Sequence, residues 1–275
     1  MRSVRRRPRG AAAVVFGGVA VWLTVLLLLP LGALVVTVAG SARDVLTQLT
    51  TQQAFDALTL SLTAAVVSIV GNGVFGVAGA LVIVRQRFFG RGLLDAAVDV
   101  PLALSPVITG LGFLLVFGRS GLLHPILDAL GVTVVFAWPS VLLATLFVTL
   151  PFTLREVALV LAEIGDTEEQ AAATLGASAW QTFWRVTFPN IRNGLVIGTT
   201  LTTARALGEF GAVLVVGGSI ASRTETATTF IHAAIEERHE AAAYGMALLL
   251  AAAAIALLWV LQRDRSAITT QKGGV

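Results

Sequence analysis

Arg205 and Glu209 lie four residues apart in the largely apolar run Thr203-Ala204-Arg205-Ala206-Leu207-Gly208-Glu209-Phe210-Gly211-Ala212-Val213. On a helix that spacing puts a guanidinium and a carboxylate on one face. Ionisable groups inside a membrane segment are costly, and they usually face a bundle interior or a water-filled cavity. Two roles follow for this pair. It can orient its helix as an internal ion pair, or it can line a path on which Arg205 offers a fixed positive charge to an anion. The two are compatible. Gly208 and Gly211 would permit close helix approach or a local opening of the backbone. A hydrated ion cannot cross bare hydrocarbon, so serine, threonine and backbone amides would have to supply hydrogen bonds along such a path.

Other chemistry finds no support in the residues. A phosphate-binding P-loop needs a lysine after its glycines, and the only lysine is Lys272, four residues from the end. The chain is therefore expected to lack a nucleotide site and to depend on another polypeptide for energy. There is no cysteine, hence no disulfide or thiolate metal site. No HExxH or GxSxG motif occurs, and no cofactor or metal site is expected. His124, His232 and His239 all fall between the apolar runs, where a solvated side chain is the simplest reading.

The elements that must hold these residues are membrane helices. Of the 275 residues 56% are hydrophobic and 13% charged, with mean hydropathy +0.86. A span needs about 20 apolar residues. Six runs qualify, at about 13–39, 56–84, 98–117, 134–160, 191–218 and 242–261. Pro101 and Pro106 interrupt the third. Arginine and lysine set the orientation. Arg2, Arg5, Arg6, Arg7 and Arg9 precede the first run; Arg85, Arg87 and Arg91 follow the second; the fourth connection carries Arg185 and, at its end, Arg192; Arg263, Arg265 and Lys272 follow the sixth. The remaining connections carry only Arg43, Arg119, Arg223 and Arg238. Both termini are expected on the cytoplasmic side of a plasma membrane: a basic N-terminus over 1–12 and a tail over 262–275. The first run is too long for a typical signal peptide and is kept as a helix. The arginines cluster at the ends of apolar runs, which gives no nucleic-acid signal.

Between the fourth and fifth runs lies Glu168–Pro189, EEQAAATLGASAWQTFWRVTFP, within a connection spanning about 162–190. Thr167 and Gln170 match a capping box, with Glu168 and Glu169 at the positive helix end. Gly176 fits just past the end of that helix. Ser178 and Gln181 form a second capping box, and Trp180, Phe183, Trp184 and Val186 give the following helix an apolar side. Pro189 is expected to stop it before the next span. Two short helices outside the bilayer, able to dock another protein, are the expectation; an ordinary amphipathic hairpin is the plainer one.

Glu169, Gln170, Ala171, Ala172, Gly176, Val186, Phe188 and Pro189 together resemble the EAA loop of ABC importer permeases. Gln170 stands where that motif has glutamate, Val186 replaces isoleucine and Phe188 replaces leucine. In that family the loop is cytoplasmic and its helix sits in a groove of a separate ATPase. The order of segments over 54–261 resembles the type-1 (MetI-like) ABC importer core, with the first helix as an extra element. The fold class implied is an all-α integral membrane protein of six transmembrane helices with a cytoplasmic coupling-helix loop.

Gly208-Glu209-Phe210-Gly211, followed by Gly218-Ser219-Ile220 and Thr224-Glu225-Thr226, is similar to the permeases for sulfate and molybdate-type oxyanions. The resemblance implies an ATPase dimer carrying ATP and magnesium, a second permease subunit in a homo- or heterodimer, and an extracytoplasmic binding protein. The Ala212-Val213 continuation leans towards sulfate; molybdate and tungstate stay open. The outer connection 219–241 is either a docking surface or a solvated loop. An ion-gradient transporter should carry more intramembrane carboxylates and inverted repeats. A non-transporting scaffold should tolerate Gly176→Asp without loss of uptake.

Overall fold

The computed structural model describes residues 9–272, with side chains described over 14–261 apart from position 27. All five arginines of the basic N-terminus and all charges of the C-terminal tail therefore lie outside the described side chains. Among the described residues the chain is helical, without strands. Helices α1 (Arg9–Leu23) and α2 (Leu29–Gly40) flank a π-helical turn at Thr24–Leu28. Then follow α3 (Ala42–Leu49), α4 (Gln52–Arg85), α5 (Arg91–Ala103), α6 (Pro106–Phe117), α7 (His124–Ala129), α8 (Trp138–Ile164), α9 (Thr167–Thr174) and α10 (Ala179–Thr182). A second π-helical turn, Phe183–Thr187, leads into α11 (Phe188–Leu207). The chain closes with α12 (Gly211–Gly217), α13 (Ala227–Glu236) and α14 (Glu240–Lys272).

The core is a layered contact of α4, α8 and α11. α4 buries Ala57, Ser61, Ala64, Ala65, Ser68, Asn72, Gly76 and Ala80, a stripe of small residues at helical spacing. In lipid, where apolar surface alone drives little association, small residues let backbones approach. A Cβ on Gly76 would meet Leu154 N at 3.1 Å, and one on Gly198 would meet Thr153 Cα at 2.6 Å. The α8 backbone is thus gripped from both sides. Polar links cross the same layers. Asn72 Nδ2 donates to Thr149 Oγ1 at 2.8 Å, and Thr153 and Thr202 share a hydroxyl hydrogen bond of 2.9 Å.

The span count differs from the six expected. Four helical stretches are long and apolar enough to cross a bilayer: 14–40, 52–85, 138–164 and 240–261. The bent pair α5 and α6 brings the number to five if it is counted as one span. These two helices meet at 115°, because Leu104 and Ser105 are extended ahead of Pro106, the first residue of α6. A residue before proline disfavours the α conformation. Pro101, by contrast, is accommodated inside α5. The expected run 191–218 is divided: α11 ends at Leu207, and α12 begins only after Gly208-Glu209-Phe210.

The stretch 14–40 is almost wholly exposed, touching the rest of the chain mainly where α2 meets α14. A helix apolar all round, with no intrachain cover, belongs in lipid or against another membrane subunit.

Candidate functional site

The segment α9–α10 projects from the far end of α8. The N-cap of α9 is Asp166, with Thr167 the first helical residue, and no side-chain cap hydrogen bond forms there. The expected first capping box is therefore absent. Glu169 is drawn into tertiary contacts instead. Its carboxylate meets Arg85 Nε at 2.8 Å and accepts from Thr187 Oγ1 at 2.8 Å. Arg85 also donates to the carbonyls of Leu161 and Gly165, at 3.1 and 2.6 Å. One guanidinium at the end of α4 thus ties off the end of α8 and holds α9. Asn190 Nδ2 donates to Glu168 at 2.6 Å and closes the loop onto α11.

α9 ends in a Schellman motif. Gly176 N–H donates to Ala173 O and Ala177 N–H to Ala172 O, both at 3.0 Å, with Gly176 at φ +84°. Ser178 and Gln181 form the expected reciprocal capping box. Pro189 does not stop the helix that follows. α10, the π turn and α11 run on continuously, and Phe188 N–H reaches back five residues to Phe183 O. A widened turn relieves the clash a proline otherwise makes with the carbonyl four residues earlier. α10 is therefore the continuous outer extension of α11. Gln170 and Ala171 lie on the exposed side, Ala172 is half-buried, and Leu175 and Trp180 are 89% and 70% exposed. Trp180, Phe183, Trp184 and Phe188 form an aromatic cluster with neighbouring ring centroids 5.1–6.3 Å apart, Trp180 stacked on Phe183 and the other pairs edge-on or tilted.

The break between α11 and α12 holds the second group of residues. Arg205 Nη1 lies 2.6 Å from Glu209 Oε2, an ion contact without hydrogen-bond alignment. The Glu209 side chain is 1% exposed and that of Arg205 30%. Glu209 Oε1 accepts from Ala212 N–H at 2.8 Å, and its own carbonyl accepts from Thr228 Oγ1 at 2.6 Å. Glu209 therefore knits α11, α12 and α13 together. Gly211 packs beside the start of α6, where its Cβ would meet Pro106 at 3.1 Å. Two interrupted helices thus touch at their breaks. Gly208 is exposed at this point.

Two features escaped the sequence reading. Arg155 in α8 forms a bidentate pair with Asp99, at 2.8 and 2.7 Å, and meets Asp95 at 2.5 Å. The i,i+4 spacing of Asp95 and Asp99 in α5 was the available signal. The connection 219–241 is mixed: Arg223, Glu236, Glu237, Arg238, His239 and Glu240 are exposed, as a docking or solvated loop implies, but its middle is not. Thr224, Glu225, Thr226, Ala227, Thr229 and Phe230 are buried. Thr224 Oγ1 donates to Gly217 O at 2.7 Å and accepts from Ile220 N at 3.0 Å, while Thr226 caps α13. Glu225 accepts from Gln53 Nε2 at 2.9 Å. Burial pushes its carboxyl above the ordinary value; the Gln53 bond opposes this and the Glu237 carboxylate adds to it.

Residues 72–263 match the model of a family described as "Binding-protein-dependent transport system inner membrane component". The chain is 48% identical over 195 residues to the sulfate transport system permease protein CysW of Synechococcus elongatus, covering 71% of this chain and 68% of that protein. It is 44% identical over 215 residues to the chloroplastic sulfate permease 2 of Chlamydomonas reinhardtii, covering 78% and 58%. It is 38% identical over 235 residues to the sulfate transport system permease protein CysT of Escherichia coli, covering 85% of each. In fold it matches a chain of a bacterial alginate ABC transporter, solved with an alginate-pentasaccharide-bound periplasmic protein. The TM-score is 0.77 at 16% identity, over 94% of this chain and 95% of that one.

Proposed function

The chain belongs to the family of binding-protein-dependent inner-membrane transport components, and from that premise we propose that it is the membrane-spanning permease subunit of an ATP-driven sulfate importer. The observation that carries this reading is the 38–48% identity to sulfate permeases from three organisms. The molybdate and tungstate alternative is not favoured by those relatives.

In this reading α9 and α10 sit on the cytoplasmic face and fit a groove of a separate ATPase. Exposed Leu175 and Trp180 supply the apolar contact. Glu169 and Arg85 carry the thrust into α4 and α8, and the continuous helix from α10 carries it into α11. The break at Gly208–Phe210 is where α11 can bend. A second permease subunit completes the path, and a binding protein delivers the ion from outside. Both termini lie in the cytoplasm of a cell bounded by the plasma membrane. Site roles for Gln170, Ala171, Ala172, Gly176, Pro189, Arg205, Gly208, Glu209 and Gly211 belong to this proposal.

The test is sulfate uptake into proteoliposomes holding the complete complex. Uptake should require ATP inside and persist after a protonophore collapses the proton gradient. Uptake that survives without ATP and follows an ion gradient would instead mark a secondary transporter.

A further inference from the structure

At the end of α8 remote from α9 lies a half-open pocket of about 960 Å³, whose polar lining residues Arg119, Ser120, Asp128, Thr133 and Arg223 are solvent-exposed. α8 has 27 residues, so this cavity lies about 40 Å from the coupling loop. Its walls are the end of α6, the loop bearing α7, the stretch 131–136 and the turn after α12. Arg119 and Arg223 enter it from two separate loops, with Ser120, Thr133 and half-buried His124 beside them. Asp128 is the one carboxylate in the lining. Arg85, Arg155 and Arg205 are all engaged by carboxylates. Among the described residues, the guanidiniums of Arg119 and Arg223 engage no partner, as is also true of exposed Arg43, Arg87, Arg91, Arg185, Arg192 and Arg238; what sets these two apart is that they line one pocket.

The backbone of this wall is also unusual. Among the described residues four non-glycine residues lie in the left-handed region; Phe136 at φ 57° lines the pocket, and Ser219 at φ 46° and Ser222 at φ 55° flank its lining residues Ile220 and Arg223. Such conformations persist only where surroundings over-determine them, and they concentrate at functional sites. Here the fixing contacts are visible. Phe136 N–H donates to Val216 O at 3.0 Å, and its ring fills the space where a Cβ on Gly218 would sit, 2.8 Å away. The wall is thereby held rigid and bound to α12, directly after the Glu209 break.

We propose that this cavity is an outer acceptor site for a tetrahedral oxyanion, with Arg119 and Arg223 as its positive groups and the Ser120 and Thr133 hydroxyls as further donors. The proposal rests on the importer reading. Planar guanidiniums match oxyanion oxygens in pairs, and hydroxyls replace water in the shell of the ion. Asp128 opposes entry, so the site holds the ion weakly and can pass it on. The rigid wall makes occupancy felt at α12. An acidic segment of a protein partner would also be drawn to two arginines; the donor set around them favours the small ion.

The test uses the complete importer in proteoliposomes, comparing wild type, R119Q/R223Q, R119K/R223K and, as control, R43Q outside the cavity. Sulfate uptake and ATP hydrolysis are measured against the concentration of sulfate-loaded binding protein. The Gln pair should lower uptake at saturating binding protein about tenfold, as loss of roughly 1.4 kcal/mol would. The binding-protein concentration for half-maximal ATP hydrolysis should stay unchanged. The Lys pair should recover much of the uptake, and R43Q should match wild type. An increase in that half-maximal concentration with normal uptake at saturation would assign the arginines to protein docking and overturn the proposal. Unchanged behaviour of the Gln pair would overturn it too. Failure of wild type to import sulfate would fault the importer reading itself, before any variant is compared.

Discussion

Arg85 and Glu169 join the two ends of a mechanical chain: the last residue of α4 meets the exposed helix α9 at 2.8 Å. Both side chains are largely sheltered, and Arg85 makes its other bonds to carbonyls at the end of α8. A force applied to α9 therefore reaches the two most closely packed helices of the core through one guanidinium.

Glu169→Ala should leave the chain folded and abolish coupling. Removing one partner of a sheltered pair costs about 1–3 kcal/mol. Glu169→Ala, Arg85→Ala and the double variant should be non-additive in thermal unfolding, with an interaction term on the order of 1 kcal/mol. Additive effects would show that the pair carries no shared energy. Gln170→Ala should be far milder, since Gln170 lies exposed and outside the network.

Gly176→Ala should weaken ATPase association through backbone strain. No atom lies within 4 Å of a Cβ built there, yet φ is +84°. A side chain in this region costs about 1–2 kcal/mol. Co-purification of the ATPase with the variant, compared with Ala173→Gly, separates the strained turn from general loosening of α9. Equal retention in both would speak against a fixed turn.

Much of this loop was legible in the sequence because its signals are local. Ser178, Gln181 and Gly176 act on backbone groups within a few residues, so spacing alone located them. Glu169 was placed correctly in the loop, but its partner Arg85 is 84 positions away and no periodicity reports that. Pro189 misled for a definite reason: a π turn absorbs the proline and keeps the helix unbroken. The α11–α12 break was readable only as a glycine pair, since what fixes it is Thr228 and Ala212 meeting Glu209. Apolar runs revealed the helices but not the 115° bend, which depends on which of two prolines the chain accommodates.

Glu209→Gln should be tolerated better than Glu209→Ala. Both variants leave Arg205 without its carboxylate, but the amide can still accept from Ala212 N–H, whereas alanine frees that buried donor. Thermal unfolding should rank wild type, then Gln, then Ala, with Ala lower by about 2–4 kcal/mol. Sulfate uptake in Arg205→Gln reports separately whether the guanidinium serves the path as well as the ion pair.

Glu225 gives the outer connection a pH dependence of known sign. Its carboxyl is raised above the ordinary 4.5, chiefly by burial. A raised acid binds more protons folded than unfolded, so stability is greatest below about 4.5 and falls as pH rises from there through the folded value. Glu225→Gln stays neutral and can still accept from Gln53. Its melting temperature should exceed that of wild type at pH 7, with the gap closing towards acid. A gap that does not change with pH would refute the assignment.

The most direct measurement is radiolabelled sulfate uptake by a sulfate-uptake-deficient cell expressing this chain with its partner permease, ATPase and binding protein, with and without excess molybdate. The account predicts saturable uptake, lost in Glu169→Ala and little affected by molybdate. An assembled complex that imports molybdate but not sulfate, or one whose uptake survives Glu169→Ala, would contradict it.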